Sequence, residues 1–167
     1  MRSSSSFPPP IVSYEHHNLR IVSAGNVIVA RWLAPPTAED MRLMRLALRP
    51  WVMRHESFCS LNVIDIEHAS PMAEDARIEV AQTQKEFDGR QRGLANVIEG
   101  KGFWAASIRS VASGLAFLSR VKFEQKIFDT VDPAVAWLAT LFPAGTIDVH
   151  QVRSAASKLR IEGEGAR

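Results

Sequence analysis

The chain predicts an α/β domain with a mixed, mostly parallel sheet of about five strands and four helices, in the order β-β-α-β-α-β-α-β-α. Two observations carry this. Short runs rich in apolar and β-branched residues alternate with longer segments whose apolar residues recur at helical spacing. A turn signal, Ala24-Gly25-Asn26, joins the first two runs into a hairpin, so an antiparallel edge precedes the parallel part.

Residues 1–12 form a Ser/Pro-rich tail, which is expected to be extended and disordered. Ser13–Ser23 reads as an impure strand interrupted by His16-His17-Asn18, and Val27–Leu33 as its hairpin partner. Thr37 and Asp40 stand at capping-box spacing, so a helix is expected to open there and run to about Arg54. Met41, Met44, Leu48, Trp51 and Val52 share its core stripe, and Pro50 predicts a kink or break near Arg49. Cys59–Ile66 reads as the buried central strand. Ser70 as N-cap and Pro71 as first helical residue then predict a helix to about Asp88, mostly solvated and acidic. Leu94–Ile98 is a short strand, and Phe103–Ser119 a helix with the stripe Trp104, Ile108, Val111, Leu115, Leu118. Gln125–Asp129 is the last strand. Asp132-Pro133 predicts another cap and a helix to Phe142, which Pro143-Ala144-Gly145 stops. The reading is one domain over 13–145, followed by a tail over 146–167 that could form a weak helix through Val149, Val152, Ala156 and Leu159.

Composition narrows the function. A chain of 167 residues with 46% hydrophobic content can bury a full core in one domain. A net charge of +2 argues against nucleic acid as a partner. The single cysteine, Cys59, lies in an apolar strand and reads as an inert buried thiol. With neither a signal-peptide pattern nor an apolar run long enough to span a membrane, a cytoplasmic protein is expected.

The candidate sites cluster where the central strand hands over to the next helix, since ligands of open α/β sheets meet the carboxyl ends of strands. Ser70 reads as a helix cap, with His68, Pro71, Glu74 and Asp75 as the candidate interaction surface beside it. Gly100-Lys101-Gly102-Phe103, with Arg109 on the helix that follows, is either an anion- or ligand-binding nest or a tight turn, and it lacks the P-loop pattern. Arg42, Arg45 and Arg49 share a helix face, able to dock an acidic partner or to stay solvated. Adjacent on a strand, His16 and His17 are expected to point to opposite faces, so neither a metal site nor any other cofactor is expected. Ser70, His68 and Asp65 lack the G-x-S-x-G elbow and an evident oxyanion hole, so no enzyme is expected.

The run VIDIEHASPMAED, the pair VIEG and KGFWAASIRSVASGLAFLSR, and the closing VDPAVAWLATL, within a stretch covering roughly residues 13–142, together resemble the STAS/SpoIIAA-like domains, particularly the STAS/SEC14-labelled proteins common in myxobacteria. The resemblance implies a non-catalytic regulatory or scaffolding module acting through protein–protein interaction. It also implies a phospho-switch of the kind found in anti-anti-sigma factors, with Ser70 at the position of the switched serine. The preceding Asp, second hydroxyl and Gly of that motif are missing around Ser70. The alternative implied by the SEC14 label is a domain that binds a small lipid or nucleotide. Expected partners are therefore another protein (a regulator, a kinase or a second copy), or a small ligand.

Overall fold

The computed structural model describes residues 13–65, 72–99 and 120–164. Its strands are β1 (Ser13–His16), β2 (Leu19–Ala24), β3 (Val27–Trp32), β4 (Phe58–Asp65), β5 (Gln91–Glu99) and β6 (Glu124–Phe128). The helices are α1 (Ala38–Arg54), α2 (Glu74–Phe87), α3 (Val131–Thr140) and α4 (Val149–Glu164). All six strands form one sheet in sequence order, β1-β2-β3-β4-β5-β6. The first two pairings are antiparallel and the last three parallel, the α/β class expected from the sequence.

Local chemistry fixes the element ends. Gly25 takes φ 56 between β2 and β3, and no other residue type in the described chain has positive φ. A positive φ at the first turn position only is the pattern of a type II′ hairpin turn, which glycine adopts without steric cost. At α1 the capping box is complete: the Thr37 hydroxyl accepts from the Asp40 N–H, and the Asp40 carboxylate accepts from the Thr37 N–H.

Each parallel step moves one place in the same direction. Right-handed crossovers therefore put α1 and α2 on the same face. There Met41, Met44, Leu48, Trp51, Val52 and Phe87 pack with Leu19, Ile21, Ile28, Ala30, Trp32 and Phe58. The opposite face, carrying Val27, Val29, Cys59, Leu61, Val63, Ala95 and Val97, is covered by α3 and α4. The result is three layers with a sheet buried on both sides.

Several expectations are corrected. The segment read as one strand over Ser13–Ser23 is two, β1 and β2, joined at His17-Asn18, which raises the strand number from five to six. Asn18 makes that turn: its carbonyl accepts from Leu33 N–H at 2.9 Å and its side-chain amide donates to Asp40. Helix α1 runs unbroken through Pro50, which lies on its exposed side, so the hydrogen bond a proline cannot make is lost to solvent and not to the core. The helix expected from Pro71 starts at Glu74, with Ala73 as an N-cap lacking a side-chain bond. Likewise α3 is preceded by Thr130, and Asp132 lies inside its first turn. Strand β5 begins at Gln91, earlier than expected, because its polar start is used: Gln91 Nε2 donates to Ser60 Oγ at 3.1 Å on β4. The segment read as a tail from residue 146 carries α4, whose Val152, Ala156 and Leu159 belong to the core.

Gly93 sets how closely α3 approaches the sheet. A Cβ there would collide with Leu141 Cδ1 and lie 3.3 Å from Trp137. Gly93→Ala is expected to cost about 1–3 kcal/mol in urea unfolding, the usual range for overpacking. Adding Leu141→Ala should relieve part of that cost, so the double variant should be more stable than the sum of the singles predicts. Additive losses would show that the two positions do not meet.

Candidate functional site at the carboxyl end of the sheet

Strands β3, β4 and β5 end together, and the β1–β2 turn and the start of α1 sit at the same end, because Leu19 pairs with Trp32. Three side chains converge there. Asp40, 1% exposed, faces His16 and His17 with Oδ1, at 3.0 Å from His16 Nδ1 and 4.0 Å from His17 Nε2. His17 Nδ1 lies 3.2 Å from His16 Nε2. The other carboxylate oxygen, Oδ2, accepts from Thr37 N–H at 2.8 Å and from Asn18 Nδ2 at 3.0 Å. Burial raises the pKa of Asp40, but the bonds from Thr37 and Asn18 and the charge of His17 outweigh it and hold the carboxyl below its usual range. Tyr14 stacks on His16, and its hydroxyl pKa is raised by burial and then by the Asp40 charge.

The expectation that the two histidines point apart is thus corrected. Period-2 alternation holds only within a strand, and His17 is already in the turn. Both rings swing to the Asp40 side, with centroids 3.9 Å apart. One half of the signal was legible in sequence, since the capping box already located the Asp40 carboxylate. The turn that brings the histidines to it was missed.

A second charged group occupies the other face. Arg20 and Arg31 stand directly opposite each other across β2 and β3, a like-charge pair that needs compensation. Glu15 supplies it to Arg20 at 3.1 Å, and Asp65 to Arg31 at 3.8 Å.

The basic face of α1 is ion-paired with α2. Arg42 Nε donates to Glu79 at 2.8 Å, Arg45 reaches both Glu79 (3.0 Å) and Glu86 (3.6 Å), and Arg49 grips Glu86 with two bonds of 2.7 and 3.1 Å. The three arginines and two glutamates form a ladder between α1 and α2. The Arg42 bond holds the Glu79 carboxyl below its usual range, and the Arg49 bond does the same for Glu86.

Of the other sequence candidates, Glu74 and Asp75 lie exposed in the first turn of α2, where Asp75 Oδ1 accepts from Ala76 N–H at 2.7 Å. Ser70, His68, Pro71, Gly100, Lys101, Gly102, Phe103 and Arg109 lie outside the described residues. Cys59 is fully buried, and burial pushes its thiol up to about 12, far from a reactive thiolate. His55 is engaged at the end of α1, where its Nδ1 donates to the Trp51 carbonyl at 2.8 Å.

No family model, no curated protein and no solved structure matches the chain. No helix among the described residues is long and apolar enough to cross a membrane.

The ladder should be acid-labile with a definite sign. Glu79 and Glu86 have lowered pKa values in the folded state, so the unfolded chain binds more protons as pH falls. Their contribution is complete above the unfolded value of about 4.3 and is lost as pH drops through the folded values. The difference in Tm between wild type and Glu79→Gln/Glu86→Gln should be largest near neutral pH and should shrink below about pH 4. A difference that stays constant with pH would mean the charges do not support the helix pair.

Proposed function

We propose that this domain is a non-catalytic regulatory or scaffolding module of the STAS/SpoIIAA-like type, working in the cytoplasm through contact with another protein. The observation that carries the reading is where large apolar side chains meet solvent. Among the described residues these are Leu43 (36% exposed), Leu46 (56%) and Met53 (62%) on α1 and Ile78 (52%) on α2. With the exposed Pro50, the three α1 residues fall on one stripe at 3-4 spacing, opposite the core stripe and beside the arginine face. A continuous apolar stripe along an outer helix suits an amphipathic helix from a partner protein. The ladder keeps α1 and α2 in fixed relation, so the stripe is presented on a rigid support. It also pairs Arg42, Arg45 and Arg49 with two glutamates, which weakens the case for nucleic acid.

Phosphate on Ser70 would add about −1.5 to −2 charges. Ser70 precedes Glu74 and Asp75 closely in sequence, so phosphorylation would add to the negative charge of that segment and change what a partner can dock there. A second reading, a small lipid or nucleotide ligand, is favoured by half-buried polar groups on the α1/α2 face of the sheet. Asn62 Nδ2 donates to Asn96 Oδ1 at 3.0 Å beside the Ser60–Gln91 bond.

A photo-reactive residue at Leu43 is expected to crosslink one partner protein in cells. Leu46→Asp/Met53→Asp should abolish the crosslink while circular dichroism stays unchanged, and Ser70→Asp should reduce it. A crosslink no stronger than from a probe at Glu124, or one indifferent to the aspartates, would overturn the reading. A tryptophan emission shift on adding lipid vesicles or nucleotide, in that case, would favour the ligand reading.

A further inference from the structure

We infer that His16, His17 and Asp40 form a binding site for a first-row divalent transition metal, zinc foremost. The site is separate from the α1/α2 outer face, so it stands or falls independently of the protein-contact reading.

The first argument is the set of atoms brought together. One ligand atom from each of the three residues lies within 4.8 Å of the other two. Zinc bonds of about 2.0–2.2 Å to nitrogen and oxygen need ligand atoms roughly 3.3 Å apart. The His16–Asp40 separation of 3.0 Å is already suitable, and the His17–Asp40 separation of 4.0 Å must close by less than an ångström or so. His17 is the ligand able to do this, because its side chain is 67% exposed. Two imidazoles and one carboxylate, with solvent on the His17 side, match the three-ligand zinc arrangement that leaves a fourth position open.

The second argument is polar satisfaction. Asp40 Oδ1 and His16 Nδ1 are both buried, and neither has a properly aligned hydrogen bond. A buried carboxylate oxygen 3.0 Å from an imidazole nitrogen needs positive charge between them, supplied by protons or by a metal ion. The start of α1 makes the position less favourable for a cation, since helix N-termini carry partial positive charge. Asp40 and Glu39 in that first turn offset it.

The third argument is preorganisation. Thr37 and Asn18 occupy Oδ2 completely, which orients Oδ1 toward the histidines, as outer partners of metal ligands commonly do. A metal at this point would tie the β1–β2 turn to the first turn of α1 and so clamp the antiparallel edge onto the helical layer.

The test uses the full, untagged chain stripped with EDTA and titrated with Zn(II) by calorimetry and with Co(II) by visible absorption. Histidine side-chain NMR would be recorded in parallel. The expected result is saturable one-to-one binding, a Co(II) spectrum of low coordination number, and shifted His16 and His17 ring signals. His16→Gln and His17→Gln should each weaken binding about tenfold or more. His150→Gln, on the exposed start of α4, should leave it unchanged. Neither histidine variant removes the capping box, so loss of binding without loss of circular dichroism separates coordination from folding. Absence of saturable binding would overturn the proposal, with protons alone balancing Asp40. Binding that survives both histidine substitutions would overturn it equally.

Discussion

Strand β4 has parallel neighbours on both sides, and everything else in the molecule answers to that constraint. A parallel strand cannot be reached by a tight turn, so each step into and out of β4 requires a crossover long enough to hold a helix. Both faces of the strand must then be covered. α1 and α2 close one face because the crossovers share a hand. The other face, carrying Cys59, Leu61 and Val63, is left to elements from beyond the sheet, α3 and α4. This is why the last helix, weak as an isolated pattern, is a core element with Val152 fully buried.

Charge follows the same geometry. Two helices laid side by side on one face must meet along a seam, and here the seam is ionic: arginines from α1 against glutamates from α2. Exposed ion pairs are individually weak, but Arg45 sits between both glutamates and makes the group a network, which resists dissection into separate pairs. At the carboxyl end, Asp40 illustrates a different economy of groups. One oxygen completes the helix cap while the other faces two histidines, so a single residue serves both the fold and the candidate site.

Much of this was legible in the residues. The capping box at Thr37 and Asp40, the hairpin at Gly25, the core stripe of α1 and the central strand all follow from local rules, and the structure agrees with them. Local rules failed where a remote group substitutes for a local one. Gln91 and Gly93 fall before the strand read over Leu94–Ile98, yet Ser60 satisfies the first and close packing of α3 requires the second. Ser-Pro at 70–71 reads as a helix start, yet α2 begins at Glu74. The basic face of α1 and the acidic character of α2 were each visible, but their pairing was not, because the two segments lie far apart in sequence.

The amino-acid sequence by itself determined the class of fold, the order of most elements and the location of the Asp40 carboxylate. Those properties depend on periodicity, backbone stereochemistry and hydrogen bonds within a few residues. Only the tertiary structure decided which charges face one another. It turned an apparent docking surface at Arg42, Arg45 and Arg49 into an ion-paired seam with α2, and two histidines at the end of an edge strand into a cluster on a buried acid. The physical reason is that electrostatic partners are chosen by distance in space, and the sheet order and crossover hand that set those distances are properties of the whole assembled domain.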